Sequence, residues 1–358
     1  MDRKALAIEL LTELSEVGGV PGNEGPVREV VRKRLRPAGE LSNDRLGGVL
    51  CTRKGKADSP RVLLDAHLDE VGFLVQSVTD AGFLRMVPVG GWWGHVLPSQ
   101  RVRVQTRKGE VPGVISSVPP HFLKPEERAK VREVEDLFVD VGASGKAQAT
   151  GEFGIRPGDP IVPDTQVRRM ANPDLLSGKA FDDRAGCALL VQSMLEIQGH
   201  PGILLGAGSV QEEVGCRGAS LTTEMADPDV AIVLEGSPAD DVPGSDKEGG
   251  QGGLGKGVQV RYCDPSAISH RGLVDLVLET AESRGIRHQV AVRRSGGTNA
   301  SRIHLHRRGV PTVVLAVPVR YIHSHVSILD VNDYLSALDL VAAVVGRIDR
   351  KALDALLA

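Results

Sequence analysis

The stretch "RVLLDAHLDEVGFLV", residues 61–75, decides how the rest of the chain is read. Its opening, "RVLLDA", is a short apolar run of the kind that fills a buried strand. The run breaks at His67, Asp69 and Glu70, and an apolar run then resumes. Taken alone, this is a strand end whose polar residues reach water, or half of a metal site. The surrounding sequence decides between the two.

Upstream, "MDRKALAIELLTELSEV" puts Ala5, Leu6, Leu10, Leu14 and Val17 on one stripe, which predicts a helix. "GPVREVVRKRLR" predicts a second, with Pro26 suited to a first turn. Downstream of Val162, apolar strands ("GILLGAGSV", "DVAIVLEG", "GVQVRYCD", "HQVAVRR", "PTVVLAVPV") alternate with helices such as "AGCALLVQSMLEIQ" and "HRGLVDLVLETAESRG". That alternation implies an α/β fold, a mixed central sheet flanked by helices. From Asp80 to about Pro160 the texture differs: short β-like pieces ("FLRMVPV", "QRVRVQT", "VPGVISS") lie between Gly and Pro, and only "PEERAKVREVEDLF" reads as helical. The division expected is residues 1–73 with 163–358 as one discontinuous domain, and 74–162 as a smaller β-rich inserted domain. A glycine-rich loop, "GSPADDVPGSDKEGGQGGLGKG", is long enough to border a site.

Composition narrows the function. A net charge of −3 gives no reason to expect nucleic acid or an anionic membrane as partner. No run approaches the roughly 20 apolar residues of a membrane helix, and the start of the sequence lacks a signal-peptide core. The four cysteines are scattered, which reads as reduced thiols in a cytoplasmic protein. Aromatic residues make up only 3%, too few for the stacking surfaces that sugar clefts need.

In sheets of this kind ligands bind beyond the carboxyl ends of the strands. "RVLLDA" delivers His67 and Asp69 there, "GILLGAGSV" delivers Glu212 and Glu213, "DVAIVL" delivers Glu235, and "PTVVLAVPVRYI" delivers His323 with His325 close behind. "GKAFDDRAG" sets Asp182 and Asp183 just before a helix. Any one of these alone reads as a solvated strand end; the set, at matching topological positions, reads as a metal site. Imidazole nitrogen and carboxylate oxygen suit zinc and its borderline relatives. Two divalent ions side by side need a bridging carboxylate to relieve their repulsion. In His-x-Asp on a strand both side chains fall on the same side, so Asp69 is expected to accept the second ring N–H of His67. Of the adjacent Glu212 and Glu213, one can bind metal while the other serves as general base.

The segments "AHLDEVGFLV", "KAFDDRAG", "QEEVGCRGA", "SGGTNA" and "VPVRYIHSH", with "GGWWGHVLPSQRV", "PPHFLKPEE" and "GIRPGDPIV" in the insert, resemble the M42 metallo-aminopeptidases over nearly the whole chain. That group includes the tetrahedral TET and the glutamyl aminopeptidases. The resemblance implies two divalent metals per subunit, zinc first and cobalt or manganese as alternatives. His67 and Glu235 would serve the first metal, Glu213 and His323 the second, and Asp182 both. Asp69 would orient His67, and a cis peptide would follow Asp182. The reaction implied is removal of N-terminal residues from peptides by a metal-bridging hydroxide, with Glu212 as general base. The insert would serve self-association into a homo-oligomer, a dodecamer in family members. Four positions depart from the commonest pattern: Glu235 and Asn299 stand where Asp is usual, His325 where Pro is usual, and Gly48 where Asn is usual. Asn299, and Arg320 just ahead of His323, are expected near the substrate. The same chemistry would also suit a metal-dependent deacylase or amidohydrolase. A catalytically dead binding protein is the reading from another class, opposed by competent side chains at all seven site positions.

Overall fold

The apolar run at 61–67 becomes a central strand whose neighbours on both sides run parallel to it. The computed structural model describes residues 2–245 and 250–358. Helices α1 (Arg3–Glu16) and α2 (Gly25–Leu35) lead into strands β1 (Glu40–Asn43), β2 (Val49–Lys54) and β3 (Arg61–His67). Next come β4 (Gly72–Val78), β5 (Leu84–Val89), β6 (Arg101–Thr106), β7 (Gly109–Ile115), the short helix α3 (Pro125–Arg128), β8 (Phe138–Asp140) and β9 (Pro160–Pro163). The chain continues through β10 (Arg168–Arg169), β11 (Leu175–Gly178), α4 (Phe181–Glu196), β12 (Ile203–Ser209), α5 (Ala219–Ala226) and β13 (Val230–Pro238). It ends with β14 (Val258–Asp264), β15 (Ala267–Ile268), α6 (Arg271–Arg284), β16 (His288–Val292), α7 (Ala300–Ile303), β17 (Thr312–Arg320), β18 (Ser327–Asp330), α8 (Val331–Val345) and α9 (Arg350–Leu357).

The larger sheet is mixed, in the order β1-β2-β12-β3-β13-β17-β18-β11-β10, with β14 also on β17 and carrying β15 and β16. Its middle four strands, β12, β3, β13 and β17, are parallel. They are buried nearly throughout, as a sheet covered on both faces requires. Helix α4 is buried nearly all round and packs on the sheet beside α1 and α8, so its burial fixes where its first residues fall. Register aligns the strand ends: Ser209 pairs with His67 and Val233 with Asp65, so Glu235, two residues on, comes level with His67.

Strands β4-β5-β8-β7-β6-β9 close into a small barrel. Closure removes the unpaired edges of a small sheet, and Phe73, Leu84, Val104, Ile115, Val139 and Ile161 fill its own core. The stretch expected to be helical at 125–138 is helical only over Pro125–Arg128, with a single 3-10 turn at Val134–Asp136. Its few apolar residues explain this, since Val134 and Leu137 point into the barrel core rather than along a helix stripe. Of the glycine-rich loop at 236–257, residues 246–249 lie outside the described residues.

Candidate dinuclear metal site

The four parallel strand ends and the start of α4 bring six side chains together around Asp182. One carboxylate oxygen, Oδ1, lies 3.2 Å from His67 Nε2; the other, Oδ2, lies 3.4 Å from His323 Nε2. Glu235 Oε2 stands 3.8 Å from His67 Nε2 and Glu213 Oε1 3.6 Å from His323 Nε2. His67, Asp182 and Glu235 thus form one set of ligand atoms, and Asp182, Glu213 and His323 another, each within 4.8 Å. Gly236 makes this approach possible: a Cβ there would sit 2.4 Å from the Phe181 carbonyl, so β13 could not pass so close to Asp182 with any larger residue. The Asp182–Asp183 peptide is cis.

Both imidazoles are oriented by main-chain carbonyls. His67 Nδ1 is 3.0 Å from the Asp69 carbonyl oxygen, and His323 Nδ1 is 2.8 Å from that of Gly91, in the segment after β5. A carbonyl only accepts, so each Nδ1 carries the hydrogen and each Nε2, facing Asp182, is free to ligate when the ring is neutral. The Asp69 side chain does not take the expected ring N–H. Its carboxylate stands 3.6 Å from Nδ1, beyond hydrogen-bond range, because β3 ends at His67 and strand alternation does not extend to residue 69. Instead Asp69 accepts the backbone N–H groups of Glu212 (2.9 Å) and Glu213 (3.0 Å), fixing the turn that presents both. Cys216 donates its thiol to Glu212 Oε1 at 3.1 Å.

The electrostatics fit cations. Burial pushes Glu213 up, and the neighbouring Asp182 charge adds to it. Burial does the same to Glu235 and Glu212. Burial would also raise Asp182, but the imidazoles of His323 and His67 hold it below the usual carboxylate range. Burial would lower His323, yet Asp182 and Glu213 raise it to about 10, and His67 is likewise held well above its ordinary value. Burial penalises the anionic form of three of the four carboxylates, and divalent cations between them would offset that penalty and favour the ionised, ligating forms.

Other expected residues lie elsewhere. Asn299, the residue that precedes α7, is fully buried and donates to Asp65 at 2.7 Å, and it does not line the cavity. Arg320 makes a two-pronged ion pair with Asp241 (2.7 and 2.6 Å) instead of reaching the ligand cluster. His325 does not join His323: its ring is buried against Trp92, centroids 5.4 Å apart, with both nitrogens unpartnered. Trp93, in the inserted segment, is 62% exposed.

The sequence reading missed several supports. Glu70 is a buried anchor, taking Lys179 Nζ at 2.6 Å on both oxygens, Arg184 at 3.2 Å and the Gly19 N–H at 3.1 Å. Asp183 receives the His67 N–H at 3.0 Å. The cavity beside the ligands, about 420 Å³, is also lined by Arg261, Arg293 and the Ser295–Thr298 turn. Arg293 follows directly on β16, a strand-end position, which is the signal that could have found it.

A mixed α/β sheet that gathers histidines and carboxylates at its strand ends marks a metal-dependent hydrolase. Residues 47–340 match the family model described as M42 glutamyl aminopeptidase, and the chain belongs to that family of peptide-bond hydrolases. It is 37% identical over 339 residues to the glutamyl aminopeptidase of Lactococcus lactis subsp. cremoris (strain MG1363), covering 93% of this chain and 94% of that one. It superposes on the TET aminopeptidase of the marine archaeon Thaumarchaeota archaeon SCGC AB-539-E09 with a TM-score of 0.94, 41% identity and 98% of each chain covered. With the Pyrococcus horikoshii TET1 peptidase, which can assemble into a tetrahedron or a large octahedral shell, the TM-score is 0.84 at 32% identity, covering 96% of this chain and 100% of that one.

Proposed function

We propose that this aminopeptidase works with two divalent cations sharing Asp182, and that Glu212 is its general base. The observation that carries the reading is the split of Asp182, one oxygen toward His67 and the other toward His323. His67 and Glu235 would hold one ion, Glu213 and His323 the other. The nitrogen and oxygen donor set, free of thiolates, favours zinc, with cobalt or manganese as substitutes. When bound, the ions polarise the scissile carbonyl and acidify the attacking water.

Glu212 lies beside the ligand sets, with a carboxylate oxygen within 4.8 Å of ligand atoms of His67 and Glu213. Its carboxylate takes the proton of the attacking water and returns it to the leaving amine. Asp69 fixes the Glu212 backbone by accepting its N–H, and Cys216 donates to the carboxylate itself. Burial raises Glu212, which moves its basicity toward neutral pH, where a base is most useful.

Arg261 and Arg293 also line the cavity; Arg261 pairs with Asp264 at 3.0 Å and Arg293 with Asp240 at 3.2 Å, and each keeps an Nε without a partner. Two guanidiniums there suit an acidic first residue, in line with a relative named glutamyl aminopeptidase. Self-association through the barrel, in the manner of the TET relatives and up to a dodecamer, belongs to the same reading. So does a cytoplasmic setting, which four free thiols favour. Among the described residues no helix is long and apolar enough to cross a membrane. The test is a release-rate profile across aminoacyl substrates with defined added metals. Fastest release of glutamyl and aspartyl groups is expected; cleavage of N-blocked amides alone would contradict an aminopeptidase.

A further inference from the structure

A second cavity, about 670 Å³, adjoins the ligand cluster, and nothing in the chemistry above uses it. Gly91, Ile322 and His323 line both cavities, so a ligand filling the two would lie across His323. Its walls are aromatic. Trp92 is fixed by stacking on Phe73, centroids 4.9 Å apart, and by donating its indole N–H to the Gly72 carbonyl at 3.1 Å. Trp93 and Tyr321 stand more than half exposed at the rim. His325, only 3% exposed, also lines this cavity, and neither ring nitrogen has a hydrogen-bond partner. A buried imidazole left unpaired costs free energy unless something occupying the cavity satisfies it.

We propose that this cavity binds the side chain of the second residue of the peptide, the one on the leaving-group side, and selects aromatic residues there, tyrosine above all. The inference rests on the aminopeptidase reading. A substrate's first residue has nothing before it, so it fits the more enclosed cavity under Arg261 and Arg293. The rest of the peptide must leave by the open side, which is the one walled by Trp92, Trp93 and Tyr321. Flat apolar walls favour an aromatic ring, and the unpaired His325 ring supplies a partner for a phenol hydroxyl.

Dipeptides sharing one first residue, chosen as the fastest in the release profile, and differing in the second test this. Wild-type enzyme is expected to cleave the tyrosine and phenylalanine forms with kcat/KM about tenfold above the alanine form. Tyrosine should exceed phenylalanine by about fivefold, the worth of one hydrogen bond. Trp93→Ala, on an exposed side chain, should shrink the phenylalanine-to-alanine ratio. His325→Leu should bring tyrosine down to phenylalanine while an aromatic preference persists. A flat wild-type series, or a ratio that Trp93→Ala leaves untouched, overturns the subsite while leaving the peptidase standing. Failure to cleave any free-amine dipeptide overturns both. Should His325→Leu not fold, the wild-type series and Trp93→Ala still decide.

Discussion

The two candidate cation positions share Asp182 but are built differently. The inner one is made by the parallel sheet: His67 is 2% exposed, Glu235 lies on the neighbouring strand, and the imidazole is steered by a carbonyl two residues along its own chain. The outer one lies where the sheet meets the barrel segment. His323 is 34% exposed, sits at φ +55°, and is steered by Gly91, more than 200 residues away in sequence. The inner position is therefore preorganised by local structure, while the outer one depends on how the insert sits against the sheet. The difference teaches that the segment between β5 and β6 takes part in the site through the Gly91 carbonyl.

Removing the shared ligand should erase the contrast. Asp182→Ala is expected to reduce bound metal to near zero and turnover to background, read by elemental analysis and peptide assay together. One retained equivalent would mean that the inner set needs no bridge. Glu212→Gln should leave the contrast intact, keeping both equivalents while kcat falls about 10²- to 10⁴-fold; substantial residual turnover would remove Glu212 from the base role. Graded chelation should sharpen the contrast: metal is expected to leave in two steps, and His323→Ala should abolish the earlier, weaker one. A single step of two equivalents would show the positions to be equal. The smallest effect falls on Cys216, which touches neither set. Cys216→Ala should lower kcat a few-fold at constant KM, in keeping with the loss of one hydrogen bond, and Cys216→Ser should restore most of it. Equal losses in both variants would assign the thiol a packing role.

The inner position was legible in the sequence because its signals are local: an apolar run that stops at His67, and acids at the ends of neighbouring strands. His323 was legible too, as a strand-end residue. The support for it was not, since Gly91 carries no side chain to announce a role and meets His323 only in three dimensions. Strand alternation misled at Asp69, where β3 has already ended and the carboxylate serves the Glu212–Glu213 turn instead. The Glu70–Lys179–Arg184 cluster was invisible for the same reason, its charges being scattered over 115 positions and neutralised only when buried together. Arg320 was expected near substrate from its proximity to His323 and Asn299 from its place in the family motif; in the fold Arg320 pairs with Asp241 and Asn299 with Asp65.

Anomalous diffraction from crystals of the zinc-loaded protein examines the shared bridge most directly. Two scattering peaks should flank Asp182, one against each carboxylate oxygen, with His67 and Glu235 beside the first and Glu213 and His323 beside the second. A lone peak, or ions bound away from Asp182, would refute the dinuclear centre.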